Sequence, residues 1–268
     1  MKTGIQGRML LAMDIDGTSV NSSHRLDPRT VEALRRFRAS GHLACFASGR
    51  NDFDMGNMCG DHREADYVIC NTGGKIIRTA DDAVLSRHLA GAKDVRVLAD
   101  ACLRYDDCVL YVIAKDYIGV NRITEGVAAY ARSNGFRPAV YAAADELPLT
   151  QVEVMMASGN VRRVIDAVES HALALDYVFS EPDVIDITPR GIGKWSALLE
   201  LCRMEQIPPE NVVAVGNYLN DRDMIENAGL GAAVGNAEPE IKLLADLVLQ
   251  ADHNHDAIAE LVDHLLAM

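Results

Sequence analysis

The chain has 268 residues, of which 49% are hydrophobic and only 5% aromatic, enough for one large domain or two smaller ones. Its 26 Lys and Arg residues against 39 Asp and Glu residues give a formal net charge of −13. Such an acidic chain is a poor general binder of nucleic acid or of anionic membranes, so we expect neither as a partner. A local cationic group can still bind an anionic substrate. The aliphatic, aromatic-poor composition favours helices packed on a parallel sheet.

The apolar runs are short. None approaches the ~18 residues that a membrane-spanning helix needs, and the run at 9–13 is too short for the core of a signal peptide. The six cysteines form no Cys-x-x-Cys pair, and several of them lie in apolar runs. Such cysteines are typical of buried free thiols in a reducing compartment. We therefore expect a cytoplasmic protein.

The first part of the chain alternates between strand and helix patterns. The apolar run 9–13 predicts a buried strand. Asp27, which is followed by proline, predicts the N-cap of a helix that ends at Gly41. Two further apolar runs, at 43–47 and 67–70, predict the next strands. This order indicates parallel strands joined by right-handed crossovers.

The middle of the chain has a different character. Helical and extended patterns are mixed there, and two strands separated only by Lys115 and Asp116 are typical of a hairpin. The mixture predicts an α+β unit with antiparallel pairing. The predicted helices are 94–104, 123–133 and 160–172, and the predicted strands are 108–114, 117–120, 151–157, 176–180 and 184–188.

The parallel rhythm returns after Pro189. The predicted helices there are 192–203, 219–227, 238–244 and 256–267, and the predicted strands are 212–215, 231–234 and 247–249. We therefore predict an α/β protein with a doubly wound, Rossmann-like parallel-sheet core formed by residues 1–82 and 184–268. Residues 83–183 form an α+β cap domain inserted into that core.

Two carboxylates, Asp14 and Asp16, directly follow the first predicted strand. Open α/β sheets bind their ligands at the carboxyl ends of their strands. Two acids at that position repel each other unless a cation lies between them. Oxygen ligands of this kind select Mg²⁺. A metal site is therefore predicted here, and an acidic turn or helix cap is the alternative interpretation.

Three further segments place polar groups where a phosphate could bind. Ser48, Gly49 and Arg50 follow the second strand, and a hydroxyl group and exposed backbone amides suit phosphate oxygens. Lys194 lies in the first turn of a predicted helix, where a cation opposes the helix dipole unless an anion compensates it. The polar segment 216–221 follows a buried strand. Alone, each segment also fits a structural role as a serine cap, a solvated lysine or a polar cap.

Taken together and in this order, the segments resemble the motifs of the haloacid dehalogenase superfamily, and most closely those of its Cof-type phosphatases. The resemblance covers the whole chain, including an α/β cap between the second and third motifs. The matching segments are Asp14-Ile15-Asp16-Gly17-Thr18 for motif one, Ala47-Ser48-Gly49-Arg50 for motif two, Lys194 for motif three, Gly216-Asn217-Tyr218-Leu219-Asn220-Asp221 for motif four, and Asn71-Thr72-Gly73-Gly74 before the cap.

The resemblance implies a magnesium-dependent phosphatase for small phosphate monoesters, such as a sugar phosphate, a nucleotide or a cofactor phosphate. Asp14 would attack phosphorus and form an aspartyl-phosphate. Asp16 would protonate the leaving oxygen and then activate the water that cleaves the intermediate. The implied phosphate-binding residues are Ile15, Ser48, Gly49, Arg50, Lys194 and Asn220, and the implied Mg²⁺ ligands are Asp14, Asp16, Asn217 and Asp221.

Asn217 departs from the family pattern, in which an aspartate stands at this position as a direct metal ligand. An amide oxygen can ligate magnesium but contributes no charge, so we expect weaker metal binding with the chemistry retained. Asp221 either ligates the metal itself or orients Asn217 and Lys194. Two other functions remain open: a phosphotransferase or mutase with the same intermediate, and a sensor that binds a phosphate ligand without turnover.

Overall fold

The computed structural model describes residues 5–51, 62–115 and 117–268. The chain divides into two compact units. The first, called the core unit here, comprises Met1–Ser86 and Gly193–Met268. The second, called the inserted unit, comprises Arg87–Ile192.

The core unit contains an eight-stranded sheet with the order β14-β13-β12-β1-β2-β3-β4-β5. All neighbours from β14 to β3 pair in parallel, and β4 extends the sheet by pairing with β3 in an antiparallel manner. The predicted α/β class with a Rossmann-like parallel core is therefore confirmed. The strands are β1 (Leu10–Met13), β2 (Leu43–Ala47), β3 (Tyr67–Cys70), β4 (Lys75–Arg78), β5 (Ala83–Arg87), β12 (Val212–Gly216), β13 (Leu230–Ala233) and β14 (Leu247–Val248).

Continuous apolar runs form the centre of this sheet. Every residue of β1, β2 and β12 is buried, as expected for parallel strands that are covered on both faces. The helix Pro28–Ala39 packs against the helix Ala257–Leu266, and the helix Lys194–Glu205 packs against the helix Arg222–Asn227. Among its described residues, the core unit contains the α-helices α1 (Pro28–Ala39), α5 (Lys194–Glu205), α6 (Arg222–Asn227), α7 (Pro239–Leu244) and α8 (Ala257–Leu266).

Helix α1 begins where the sequence predicts, but its first residues bond differently. Asp27 is the N-cap residue, yet its side chain makes no cap hydrogen bond to the helix. Its Oδ1 instead accepts a hydrogen bond from Nδ2 of Asn21. The predicted helix 219–227 also differs, since Leu219–Asp221 form a 3₁₀ turn and α6 starts only at Arg222.

The inserted unit has its own six-stranded sheet and its own core. Its strand order is β10-β11-β9-β6-β7-β8, in which every pair is antiparallel except β7 with β8. Alternate residues of β6 lie in different clusters: Leu110 packs with α2 and α4, whereas Tyr111 packs with Val127 of α3. The elements are α2 (Ala92–Cys102), β6 (Cys108–Ala114), β7 (Tyr117–Val120), α3 (Glu125–Asn134), β8 (Ala139–Val140), β9 (Val152–Gly159), α4 (Val161–Ser170), β10 (Leu175–Glu181) and β11 (Val184–Pro189).

The limits of the two units differ from the predicted limits of 82/83 and 183/184. β5 extends the core sheet, so the first limit lies after Ser86. β11 lies between β9 and β10 in the inserted sheet, so the second limit lies after Ile192, and the prediction that placed 184–188 in the core was wrong. A short apolar strand fits either sheet, because its partner is fixed by long-range pairing and not by its own pattern.

Three further expectations from the sequence concern membrane-spanning helices, the cysteines and the hairpin. Among the described residues, no helix is both long enough and apolar enough to cross a bilayer. Five cysteines are free and buried, as the apolar runs predict, and Cys59 lies outside the described residues. The turn between β6 and β7 includes Asp116, which also lies outside them, but the two strands do pair as a hairpin.

Candidate active site

The polar segments predicted from the sequence meet at one edge of the core sheet. β12, β1 and β2 are neighbours and run parallel, so their carboxyl ends lie side by side. Asp14 follows β1, Ser48 follows β2, and Asn217 follows β12. Lys194 is the first residue of α5. The fold thus brings motifs that are far apart in the chain to a single edge.

Lys194 lies between two carboxylates inside the core unit. Its Nζ donates hydrogen bonds to Oδ1 of Asp14 at 2.7 Å and to Oδ1 of Asp221 at 2.5 Å. The exposed fractions are 0% for Lys194, 5% for Asp14 and 0% for Asp221. Buried charges of this kind persist only when they are paired and hydrogen-bonded. The group of two carboxylates and one ammonium, called the buried triad below, has a formal charge of −1 when both carboxylates are ionised.

The triad changes the proton affinities of its members. Burial and the neighbouring Asp221 raise the pKa of Asp14 to about 7, although the charge of Lys194 opposes this change. Burial tends to lower the pKa of Lys194, but the two carboxylates outweigh it, and the net pKa is raised. The lysine therefore stays charged at neutral pH, whereas Asp14 titrates near neutrality in the absence of a further cation.

Asp221 is held from both sides. While its Oδ1 accepts from Lys194, its Oδ2 accepts hydrogen bonds from the backbone amides of Asn217 and Tyr218 at 2.9 and 3.2 Å. A Cβ atom on Gly216 would lie 2.3 Å from that Oδ2, so only glycine leaves room for the carboxylate. These bonds identify Asp221 as the group that fixes both the lysine and the loop after β12.

Asn217 packs against the turn that follows Asp16. Its Oδ1 accepts a hydrogen bond from the Thr18 hydroxyl at 3.1 Å. Gly17 has a φ of +72°, and a Cβ atom there would lie 2.6 Å from Nδ2 of Asn217. The positive φ of this turn favours glycine. The absence of a side chain at Gly17 also leaves room for the side-chain amide of Asn217. This places the Asn217 side chain beside motif one.

The Asp16 carboxylate forms a bidentate ion pair with Arg50. Nε and Nη2 of Arg50 donate to the two carboxylate oxygens at 2.6 and 2.9 Å. The planar guanidinium matches a carboxylate in this geometry, and it matches a phosphate equally well. Nδ1 of His24 lies 3.9 Å from the same carboxylate. Arg50, predicted to bind phosphate, is thus engaged with Asp16 in this arrangement.

The other predicted phosphate-binding residues lie in the same loops. The Ser48 side chain is buried, and its Oγ accepts a hydrogen bond from the backbone amide of Arg50 at 3.1 Å. The Ile15 carbonyl accepts from the amides of residues 18, 19 and 20, which closes the turn after Asp14. Gly49 lies between Ser48 and Arg50, and Asn220 lies in the 3₁₀ turn that carries Asp221.

Two contributors were missed by the sequence analysis. Ser19 donates from its hydroxyl to the Asp14 carbonyl at 2.5 Å. Asn236 donates to the Gly17 carbonyl at 2.8 Å, and its Oδ1 accepts from the backbone amide of His253. Ser19 directly follows motif one and could have been considered. Asn236 follows β13 with no motif around it, and only the strand order shows that it reaches this turn.

The donor set fits a cation, although with few charges. The buried triad retains one negative charge, and Asn217 presents an amide oxygen close to the turn after Asp16. Within residues 5–51, 62–115 and 117–268, no group of three or more His, Cys, Asp and Glu side chains has an arrangement that could hold a metal. The amide in place of an acid at position 217 reduces the number of acidic ligands. A site completed by carbonyl, amide and water oxygens suits Mg²⁺.

Residues 11–262 match the family model of the haloacid dehalogenase-like hydrolases. The chain belongs to this family. Its motifs and its inserted unit identify it as a Cof-type phosphatase within the family.

Similar proteins include several named phosphatases. The chain is 28% identical over 267 residues to the HMP-PP phosphatase of Klebsiella pneumoniae, covering 96% of this chain and 95% of that protein. It is 26% identical over 297 residues to the phosphatase YwpJ of Bacillus subtilis, covering 96% and 99%. Its fold is similar to that of the subclass IIB sugar phosphatase BT4131, with a TM-score of 0.83 at 23% identity, covering 98% and 100%.

The titration of Asp14 predicts how the stability of the metal-free protein depends on pH. Because the folded pKa of about 7 lies above the ordinary aspartate pKa of 3.8, the folded state binds the Asp14 proton more tightly than the unfolded state does. The resulting stabilisation is complete below pH 3.8 and is lost as the pH rises to about 7. We therefore expect the free energy of unfolding of the wild type, measured by urea unfolding in EDTA, to decrease between pH 3.8 and about 7. The decrease over the same pH range should be smaller in Asp14→Asn.

The difference between wild type and variant isolates Asp14 from other titrating groups. Asp27→Asn is a matched control, since Asp27 lies outside the triad and its side chain accepts a hydrogen bond from the nearby Asn21. Identical pH slopes for wild type and Asp14→Asn would contradict the raised pKa.

Proposed function

We infer that this Cof-type phosphatase hydrolyses a small phosphate monoester through an aspartyl-phosphate on Asp14, and that it does so with Mg²⁺. The observation that carries the proposal is the buried triad. It fixes one carboxylate at the carboxyl edge of the sheet, next to a permanent cation and at the place where such sheets bind ligands. A sugar phosphate, a nucleotide or a cofactor phosphate is the proposed substrate class, in keeping with the named activities of the similar proteins.

Asp14 is the proposed nucleophile. Lys194 holds its Oδ1 at 2.7 Å, which fixes the rotation of the carboxylate and keeps a positive charge beside the phosphoryl group. The Ser48 hydroxyl, the Gly49 amide and Asn220 are proposed to bind the phosphoryl oxygens. Because phosphoryl transfer passes through a loose, anionic transition state, positioning and charge stabilisation are the main tasks of these groups.

Asp16 is the proposed general acid and base, and Arg50 controls its availability. The ion pair holds the Asp16 carboxylate in a fixed place. An incoming phosphate offers the guanidinium a second anionic partner, and sharing Arg50 would release Asp16 to exchange a proton with the leaving oxygen. This role reconciles the observed ion pair with the predicted contact between Arg50 and phosphate.

Magnesium would be held by Asp14, by Asp16 through its main-chain carbonyl, and by Asn217. When bound, it would neutralise charge on the two carboxylates and on the phosphoryl oxygens. Asp221 is proposed to orient Lys194 and the loop rather than to ligate the metal, since it is fully buried and its carboxylate accepts three hydrogen bonds, one from Lys194 and two from the backbone amides of Asn217 and Tyr218.

Phosphate release from p-nitrophenyl phosphate tests the function. Wild type with Mg²⁺ should release free phosphate, and Asp14→Asn should lose more than about a thousandfold of that activity because an amide is no nucleophile. Asp27→Asn removes a carboxylate outside the site and should retain activity. Full activity of Asp14→Asn would contradict the mechanism. Phosphate binding by wild type without turnover would favour the sensor, and substrate loss without free phosphate would favour a phosphotransferase.

Asn217→Asp tests the proposed metal ligand. Two unit charges about 4 Å apart interact by ~4 kcal/mol at an effective dielectric constant near 20. Repulsion from Asp14 and Asp221 and the cost of desolvation offset most of it, so we expect a net gain of roughly 1–2 kcal/mol, or about tenfold in magnesium affinity. Magnesium titrations of activity should therefore show a lower half-saturating concentration, with a smaller change in the maximal rate.

Asn236→Asp is the matched control for this experiment. It adds the same charge beside the same turn at a residue that is not a proposed ligand, and it also removes the hydrogen bond that Asn236 donates to the Gly17 carbonyl. If the half-saturating magnesium concentration is unchanged or higher in Asn217→Asp, then Asn217 does not bind the metal. An equal decrease in both variants would indicate a general electrostatic effect.

A further inference from the structure

Helix α5, which carries Lys194, begins without a side-chain cap of its own. Its N-cap is Gly193, which has no side chain to accept from the first free amides. The Ser196 hydroxyl accepts a hydrogen bond from the Gly193 amide at 2.9 Å. This bond satisfies the amide of the N-cap residue and not those of the first helical turn. Lys194 also places a cation at the positive end of the helix dipole. The start of α5 therefore needs an acceptor, preferably an anionic one, from elsewhere.

Asp223 in helix α6 supplies that acceptor. Its Oδ2 accepts a hydrogen bond from the backbone amide of Trp195 at 3.1 Å, and its Oδ1 accepts from the amide of Met224 at 2.8 Å. Trp195 is the second residue of α5, the position that an N-cap side chain normally serves. The carboxylate thus caps α5 from outside the helix and brings a negative charge to its N-terminus.

Gly193 makes this external cap possible. A Cβ atom at this position would lie 2.8 Å from Oδ2 of Asp223. The backbone of Gly193 is extended, with a φ of −158°, so its conformation does not require glycine. The absence of a side chain instead leaves room for the carboxylate. Burial raises the pKa of Asp223, whereas the Trp195 amide and the charge of Lys194 lower it, as expected for a carboxylate enclosed at a helix start.

We propose that Asp223 is a positioning residue for catalysis: by capping α5 at Trp195 it fixes the backbone next to Lys194 and so holds the ammonium between Asp14 and Asp221. The inference rests on the proposed function, in which Lys194 orients the nucleophile. Asp223 itself touches no reacting atom. Its effect passes through one peptide unit, because Trp195 directly follows Lys194 in the chain.

The kinetic consequence of this role differs from that of a cap that only stabilises the fold. Small displacements of a positioned group reduce the rate of the chemical step far more than they reduce binding. Asp223→Ala should therefore lower kcat by about tenfold at saturating Mg²⁺ and substrate, which corresponds to a loss of about 1.4 kcal/mol of transition-state stabilisation. KM should change by less than about twofold. Asp223→Asn keeps a hydrogen-bond acceptor in the same place and should recover most of the lost kcat.

Thr124→Ala is the matched control, because it removes a cap of the same kind from a helix of the inserted unit. The Thr124 side chain accepts from the backbone amide of Val127 at 3.2 Å at the start of α3. Loss of this cap should lower the melting temperature, as in Asp223→Ala, but it should leave kcat unchanged.

The single tryptophan of the chain allows the contact to be observed without turnover. Labelling with ¹⁵N-tryptophan gives one backbone amide signal, that of Trp195, and one indole signal. In wild type the amide proton should be shifted downfield and protected from exchange by its bond to the carboxylate. In Asp223→Ala it should move upfield and exchange faster, with an intermediate position in Asp223→Asn.

The two readouts separate the possible failures. An unchanged Trp195 amide in Asp223→Ala would show that the cap does not exist, and a perturbed amide with wild-type kcat would show that the cap has no positioning role. Either result overturns the inference while leaving the proposed function intact if Asp14→Asn is inactive. Retained phosphate release by Asp14→Asn would overturn the proposed function, and the inference with it.

Discussion

One ammonium group, buried in the core unit, is the constraint on which the rest of the site depends. Lys194 has no access to solvent, and its ammonium group forms ion pairs with Asp14 and Asp221. Removing a charge from such a group costs several kcal/mol, because the remaining partners are left buried and uncompensated. The ends of β1 and β12 and the start of α5 must therefore be held in register with one another. The proposed catalytic geometry and the stability of the core therefore depend on the same three side chains.

The loops around the triad follow from this constraint. Asp221 can reach Lys194 only because Gly216 has no side chain, and it then uses its second oxygen to hold the loop that carries Asn217. Gly17 lets Asn217 approach the turn after Asp16. The residual negative charge of the triad gives the site its proposed affinity for Mg²⁺. The amide at position 217 adds no negative charge to the site. We therefore expect the proposed site to bind Mg²⁺ weakly, with the proposed phosphoryl-transfer chemistry retained.

The sequence predicts the local features of this protein well and the long-range pairings less well. Strands β1, β2 and β12 are continuous apolar runs, which is the pattern of strands buried on both faces, and the polar residues at their ends identify the site. The place of β11 in the inserted sheet, the ion pair of Arg50 with Asp16 and the contact of Asn236 with Gly17 depend on which distant segments become neighbours. No local pattern encodes those contacts.

In the proposed mechanism, Asp14 itself carries the phosphoryl group during turnover. The most direct test of this step is to mix the enzyme with a ³²P-labelled phosphate ester and Mg²⁺, quench with acid within one turnover, and map the labelled peptide by mass spectrometry. Label should appear on Asp14, and with an aryl phosphate, whose leaving group needs no protonation, it should increase in Asp16→Asn, where the second step lacks its base. Label on another residue, or phosphate release at the wild-type rate with no labelled protein at any quench time, would contradict the proposed mechanism.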